Sequence, residues 1–440
     1  MKNVEQVVTY GLCTGCGTCA GVCPQESIRM FKKKADQHYL PEINENKCTS
    51  CGLCIKVCPG YNVDFIKLNS QVFGCQPSDS ILGNNLGCYI GYSNDPDLRL
   101  KCASGGIASQ ILISSLKSGL IDGALLIKLK NGYPLETEAT IVTTAEQVLS
   151  NSGSKYFPAA VNDGLKYIMK TKGKFAVVGL PCHIHGVRKA ESVFKSLKEK
   201  IVLHIGLICN HTVNFDGTDF ILEKLGVPKH SVEKIDYRAK GWPGSMSIES
   251  KNSKIKTFPY IGGWNSYWPV FSSFFFSPFR CMMCPDFLNE LADISLGDAW
   301  FPELVKKDSL GHSLIIVRTE IGKNVLDNLS SNGEISLKSI NSVDVKRSQS
   351  VPIKFKKVDI NDRLKMLESF GKTVPDFILN SVSVNKLGII AWLRSFFAYI
   401  NNRLSSWKLF RSFLVKIPFP VFRLYYGFFK ILFEMSRSCL

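Results

Sequence analysis

Acid is scarce in this chain: 37 Asp plus Glu stand against 54 Lys plus Arg, a net charge of +17 in 440 residues. Such an imbalance points to anionic partners, whether nucleic acid, a membrane surface or anionic substrates, and the position of the charge decides among them. A secretory signal is missing too, because the opening MKNVEQVVTYGL has neither a basic start nor a long apolar run. The resulting expectation is a reducing, cytoplasmic setting, where cysteines serve as metal ligands rather than disulfides. Compositional bias is absent as well. With 45% hydrophobic, 21% charged and 11% aromatic residues, usage is that of a globular protein with enough apolar surface for real cores, which excludes a disordered or collagen-like chain. The length suggests about two to four domains and excludes one small disulfide-stapled module.

What is plentiful is cysteine: 16 in all, eight of them within the first 58 residues. Cys13, Cys16, Cys19 and Cys23 precede Pro24, and Cys48, Cys51, Cys54 and Cys58 precede Pro59, giving two copies of C-x2-C-x2-C-x3-C-P. This is the bacterial two-cluster ferredoxin pattern: three closely spaced cysteines wrap one cubane and the fourth, carried off by the Pro turn, joins the other. The spacing predicts one 4Fe-4S cluster on Cys13, Cys16, Cys19 and Cys58 and a second on Cys48, Cys51, Cys54 and Cys23. Zinc sites pair two C-x2-C elements rather than using triplets, and disulfides do not suit the compartment. Gly17 and Gly52 take the same place in each repeat, where backbone must approach the cluster.

Four further cysteines are sparse. Cys281-x2-Cys284-Pro285 is a half-site of metal-ligand type, while Cys182 (GLPCHIHGVRK) and Cys209 (GLICNHT) each follow a predicted strand. From their spacing alone they are either ligands of one more cluster or inert buried thiols. Cys102 reads as a small packed side chain, and Cys75, Cys88 and Cys439 have no partner spacing.

The fold class expected is α+β or α/β and multidomain. Residues 1–62 are a small two-cluster domain. Residues 75–160 and 161–330 are the two parts of a mixed α/β core in which GALLIKL, KFAVVGL and KIVLHIGLI are buried strands with site residues at their carboxyl ends. Residues 331–385 are polar and read as a linker with a short helix or two. Residues 386–440 carry nine Lys or Arg against one acid, Glu434, among many aromatics. Lys416, Arg423, Lys430 and Arg437 recur every seven residues near one helical face, and Pro418 and Pro420 set the helix start. No uncharged apolar run there approaches the roughly 18–20 residues a span requires, so the tail reads either as an amphipathic segment for peripheral docking on the inner face of a membrane or as a helix packed on the protein or a partner. Nucleic acid is not the expected partner, because the charge is interleaved with large apolar residues.

The two ferredoxin repeats, GYSNDPDLRLKCASGG (91–106), SGSKYFPAA (152–160), GLPCHIHGVRK (179–189), YRAKGWPG (237–244) and CMMCPDFLNELADISLGDAW (281–300) together resemble the beta subunits of coenzyme F420 hydrogenases and dehydrogenases, including the related 7-hydroxymethyl chlorophyll a reductases. The resemblance covers about residues 5–320 and departs from the family pattern at His183 and at Asn210-His211. It implies a third 4Fe-4S cluster on Cys182, Cys209, Cys281 and Cys284, and FAD bound beside it in the core. It also implies a relay between a one-electron carrier and a small organic substrate or deazaflavin-type coenzyme, with bacterial relatives accompanying polysaccharide-assembly enzymes. Flavin contacts are then expected from the Gly turn Ser104-Gly105-Gly106 at a helix start, from Ser154, Lys155 and Tyr156, with the lysine charge beside the flavin, and from Asp298. Arg99, Arg238, Lys240 and Trp242 are expected near the same pocket. Lys155 and His183 are the expected catalytic groups, with His185, His204 and His211 as other candidate proton donors. The alternative is a non-catalytic electron-transfer subunit or an iron–sulfur scaffold or redox sensor.

Overall fold

The structure, a computed structural model, describes residues 3–32, 38–261, 265–266, 268–379 and 389–434. Arg437, Cys439 and the opening residues of the tail, 386–388, lie outside them.

A central eight-stranded sheet organises the chain, with strands numbered here in chain order: β1 Gly87–Ser93, β2 Gly123–Lys130, β3 Tyr133–Val142, β4 Phe175–Gly179, β5 Ile201–Leu207, β6 Ile294–Asp298, β7 Ser313–Val317 and β8 Ile335–Ile340. Their spatial order is β8-β1-β7-β6-β5-β4-β2-β3. The run β6-β5-β4-β2 is parallel and the flanking pairs are antiparallel. The three Val/Ile/Leu runs singled out in the sequence are β2, β4 and β5, as their composition requires of strands covered on both faces. One face packs against the helices Ile107–Lys117 and Glu320–Ser331 through Ile107, Ile111, Ala176, Leu203, Ile205 and Leu326.

The other face is shared with the N-terminal module. Val22, Val57 and Val63 of that module pack with Leu125, Phe175 and Val177 of the sheet and with Ile184 and Val187 of the helix Pro181–Glu191. Each such valine contributes roughly 1.5–3 kcal/mol when fully buried, so the cysteine-dense module is held by shared core as well as by its own hairpin, Ile28–Phe31 with Leu40–Ile43. The approach is close. A Cβ at Gly186 would stand 2.1 Å from Thr18 Oγ1, and one at Gly17, whose φ is 85°, would stand 2.7 Å from the Asp163 nitrogen.

Of the stretch 331–385, expected to be a linker, the described residues 331–379 are instead built into the fold. β8 is an edge strand on β1. Helical turns, including a π-turn at Lys354–Val358, then bury Ile353, Phe355, Ile360 and Leu367. Asp376–Ile378 next pairs in parallel with Asn62–Asp64, stitching this segment to the N-terminal module. Polar composition misled because an edge strand needs few apolar side chains and each short helical turn buries only one face.

The tail forms three helices, Ile389–Ser405, Lys408–Lys416 and Phe419–Glu434, the last beginning where the two prolines suggest. They are packed on the body rather than extended from it. Arg394 pairs with Asp359 at 2.7 Å with both side chains buried. Asn401 and Asn402 donate to the carbonyls of Ser273 and Ser277 at 2.8 and 2.6 Å, and Leu414, Phe422 and Phe429 are buried. Among the described residues no helix is long and apolar enough to cross a membrane.

Candidate redox site

Three cysteines of the first repeat, Cys13, Cys16 and Cys19, lie together with Cys58, the fourth of the second. Burial pushes the Cys58 thiol up to about 11, with Cys16 adding to it. Burial likewise raises Cys13, whose strongest electrostatic neighbour is Cys58, and Cys19, which feels Cys16, Cys13, Cys58 and then Cys54. The other set is nearer the surface: Cys54 feels Cys51 and Cys48, Cys23, Cys48 and Cys54 pack against one small core of Val4, Cys19, Ala20, Ile28 and Ile43, and Cys51 is exposed. Gly17 and Gly52 both adopt left-handed backbone, φ 85° and 72°, at the start of matching short helices. All the described cysteines are free thiols.

The second group assembles at the carboxyl ends of the parallel strands, where a doubly covered sheet opens a crevice. Cys182 starts the helix after β4, Cys209 follows β5, and Cys281 and Cys284 lie on and just after the 3-10 turn Phe279–Met283. Burial drives the Cys182 thiol well above its ordinary value, and Cys16, Cys209, Cys281 and Cys284 push it further. Residues a hundred positions apart in sequence are therefore mutual neighbours, and Cys16 puts the N-terminal group within reach of them. Among the described residues no three such side chains close on one point as a lone ion demands, whereas a cubane gives each cysteine its own iron.

Buried cations surround this group. Lys356 and Arg363 are each 1% exposed and Arg280 is 4% exposed. Lys356 Nζ donates to the Cys281 carbonyl at 3.1 Å and Arg363 Nε to the Met282 carbonyl at 2.6 Å. Arg280 Nε donates at 3.1 Å to the carbonyl of Gly60, just past Cys58, so its guanidinium sits between the two cysteine groups. The carboxylates nearby are taken: Glu290 by Lys357 and Asp359 by Arg394. Arg363 feels Asp359 before it feels Cys284, whereas Arg280 and Lys356 have no carboxylate ion pair among the described residues, and two such buried cations would be costly. Four thiolates around an iron–sulfur cluster supply the missing negative charge, so the donor set fits such a group. Sequence reading missed these cations; the only signal was KFKK (354–357) in an otherwise unremarked polar stretch.

Beside the four-cysteine group opens a chamber of about 1420 Å³. Cys209 belongs to its wall, as do Ser104, Gly106, Ser154, Tyr156 and Asp298. Tyr156 stacks on Tyr260 at 5.9 Å, and Tyr260 on Trp300 at 6.5 Å, forming an aromatic side. Arg238, 4% exposed, bonds Asp298 Oδ2 through Nη1 at 2.6 Å, while its buried Nη2 has no hydrogen-bond partner. Burial opposes the charge, but Asp298 and then Tyr156 and Tyr260 hold the guanidinium pKa above its ordinary value. The tail supplies wall as well, through Arg423, Tyr426, Phe429 and Lys430.

The remaining expected residues divide. Lys155 lines the chamber, with Nζ donating to the carbonyls of Asn151, Ser152 and Gly153 at 2.6, 3.2 and 3.1 Å and its pKa pushed down by burial to about 8. Gly105 does not line it, since it packs against β1 and β7, where a Cβ would stand 2.5 Å from the Gly91 carbonyl oxygen. His183 lines it, but the expected catalytic role is not what the ring is arranged for. Nδ1 accepts from the Leu180 N–H at 3.0 Å, leaving Nε2–H to donate to the Ala159 carbonyl at 2.9 Å, and burial pushes its pKa down to about 4. Both nitrogens are engaged, so the ring fixes the start of the Cys182 helix instead of handling a proton. His185 pairs with Asp286 at 2.8 Å, and His204 lies between Glu191 and Asp293 at 2.7 and 2.9 Å, each away from the chamber. His211 lines the chamber with Nδ1 unpartnered, beside the equally unpartnered Asn210 Oδ1. Arg99 binds Asp308 at 2.8 Å, Trp242 donates to Asp298 at 2.9 Å, and neither they nor Lys240 reach the chamber wall.

The ferredoxin module and the α/β core have counterparts among known proteins. The 4Fe-4S dicluster domain matches residues 12–62. The N-terminal part of the coenzyme F420 hydrogenase/dehydrogenase beta subunit matches residues 88–166, and the C-terminal part residues 172–343. The chain belongs to this family. It is 26% identical to the coenzyme F420-dependent sulfite reductase of Methanocaldococcus jannaschii over 77% of its own length, and spans 49% of that relative. It is also 26% identical to a subunit of the F(420)H(2) dehydrogenase of Methanosarcina mazei, covering 76% of this chain and 86% of that one. The F420-reducing [NiFe] hydrogenase complex from Methanosarcina barkeri contains a chain of like fold, with a TM-score of 0.53 at 23% identity, covering 68% of this chain and 98% of that one. The match to the F420 beta subunits ends at residue 343, before Lys356, Arg363 and the three tail helices.

Proposed function

We propose that this family member is an iron–sulfur flavoprotein oxidoreductase that exchanges single electrons with a carrier protein and acts on a two-electron organic ligand in the chamber. The observation that carries this reading is the double membership of Cys209, which stands in the buried four-cysteine group and in the chamber wall. Cys51 at the surface, the Cys16 group and the Cys182 group complete a continuous path to it. The ligand sets are Cys13, Cys16, Cys19 and Cys58; Cys23, Cys48, Cys51 and Cys54; and Cys182, Cys209, Cys281 and Cys284. When bound, the clusters pass single electrons and FAD joins two of them into one two-electron transfer.

The chain's own groups suit FAD in the chamber. Gly106 opens the helix Ile107–Lys117, whose first N–H groups favour a phosphate. Arg238 Nη2 is a charged donor without a protein partner, and the Tyr156–Tyr260–Trp300 side offers flat apolar surface. Lys155, held by its own loop, contributes a fixed positive charge. Anaerobic purification followed by iron, sulfide and released-flavin quantification tests the reading. About twelve irons per chain, four per cluster, with one FAD are expected; eight irons or no flavin would overturn it.

Relatives described as hydrogenase and dehydrogenase subunits favour a second reading, a relay that docks on a separate enzyme. Substrate-dependent oxidation of the bound flavin in the isolated chain, with F420 among the compounds tried, separates the two. We also propose that the outer side of the tail docks on an anionic bilayer, since Leu409, Phe413, Leu424 and Phe428 are exposed along with Lys408 and Lys416. Liposome co-sedimentation with and without residues 389–434 checks it, and unchanged binding would remove the idea.

A further inference from the structure

We infer that the buried cations are graded along the path so that electrons run inward, making the chain a reductase of its chamber ligand, with Lys356 and Arg363 as the positioning charges that set the direction. This rests on the three ligand sets proposed above.

The grading is visible group by group. Around Cys48, Cys51 and Cys54 the basic side chains in sequence, Lys47 and Lys56, are exposed, so water and salt screen them. At the Cys13 group one half-buried lysine appears: Lys189 Nζ donates to the carbonyls of Cys58 and Asn62 at 2.8 and 2.7 Å. Lys189 belongs to the helix that Cys182 begins, so a single helix carries a ligand of one group and a cation of the next. At the Cys182 group there are Lys356 and Arg363 in addition to the shared Arg280, and Arg363 Nη2 is buried without a hydrogen-bond partner. The carboxylate of Asp286, which Cys209 also feels, is occupied by His185 and by the Asn289 and Glu290 N–H groups.

Each electron added to a cluster adds one negative charge, and a fixed positive charge in a low-dielectric surround stabilises that reduced form. Potential should therefore rise from the Cys51 group through the Cys13 group to the Cys182 group. A low-potential one-electron carrier docking near exposed Cys51 gives up one electron at a time and is oxidised by one unit at each encounter. Two such transfers reduce one two-electron ligand in the chamber, with protons drawn from solvent. The π-turn is part of the device: it places Lys356 inward, over the Cys281 carbonyl, from a segment that the match to the F420 beta subunits does not reach.

The test is a reductive titration of the anaerobic full-length protein followed by EPR. Cys182→Ala identifies which signal belongs to the inner group, and an iron count near twelve in the wild type, four per cluster, establishes that the three ligand sets hold. The inner signal is expected to appear first as the potential is lowered. Lys356→Gln should move it to lower potential while the two N-terminal signals stay in place, and Lys356→Arg should restore it. An inner cluster reduced last in the wild type would overturn the inference. So would an inner potential unmoved in Lys356→Gln with iron retained. If Lys356→Gln loses the cluster, Arg363→Gln and the wild-type order decide in the same way. An iron count near eight would instead count against the ligand sets themselves.

Discussion

Asp298 is where two buried donors, Arg238 Nη1 and Trp242 Nε1, converge. Replacing it by Asn removes the compensating charge from a guanidinium that is 4% exposed, and truncating one partner of a buried pair costs about 3–5 kcal/mol. Asp298→Asn is expected to lower the unfolding midpoint and weaken flavin retention together, checked by thermal unfolding and by flavin released on dilution. The Arg188, Glu191, His204 and Asp293 cluster has a pH signature. Burial and Arg188 disfavour the His204 imidazolium, yet Glu191 and Asp293 outweigh them and raise its pKa. That contribution is complete below the ordinary value near 6.5 and is lost as pH climbs through the folded-state value. Burial works against Asp293 and Glu191, but Arg188 and His204 lower both, so their contribution is present above about pH 4 and lost on acidification. Stability should decline above neutrality in the wild type, and His204→Gln should flatten that alkaline arm in unfolding curves taken across pH. At this scale the sequence was legible where residue type fixes chemistry, as with the cysteine triplets. It was not legible for His183, whose role depends on two backbone groups, nor for Lys356, whose charge acts only because the fold buries it.

Helices and strands carry the close approach between the modules. Gly186→Ala would drive a methyl to 2.1 Å from Thr18 Oγ1, and Thr18 is itself hydrogen-bonded by Asn162 at 2.8 Å and by Cys16 Sγ at 3.1 Å. Overpacking of this kind costs about 1–3 kcal/mol. The variant should also slow reduction of the inner cysteine group by dithionite relative to the outer ones, measured by stopped flow. Phe429→Ala, in a helix that closes the chamber, removes a side chain 1% exposed and should cost about 3 kcal/mol; limited proteolysis should then release the tail helices sooner. The strands β2, β4 and β5 were readable because aliphatic runs bounded by Gly or Cys have few other uses. β8 and the turns of residues 342–369 were not, since their burial is one-sided and their partners lie far away in sequence, from 75 positions for Lys356 and Cys281 to upward of two hundred for β8 and β1.

For the whole molecule, the legible features were a ferredoxin module, a mixed α/β core and a basic helical tail, because each has its own composition. The way they share a core was hidden: Val22, Val57 and Val63 are three isolated valines in sequence and one patch in space. The tail's dual character was also hidden, with Phe422 and Phe429 facing inward while Leu424 and Phe428 face outward. The helix that closes the chamber thus also carries exposed apolar residues, and removing residues 389–434 should impair ligand turnover even in the absence of any vesicle.

The pairing of Asn62–Asp64 with Asp376–Ile378 has a temporal meaning. On the ribosome, the cysteines of the first module emerge long before the strand that closes it. At about 5–20 residues per second the interval is on the order of tens of seconds. Throughout that window the nascent thiols are open to the cell's iron–sulfur delivery machinery and equally to oxidants, and both kinds of access narrow when the last strand arrives.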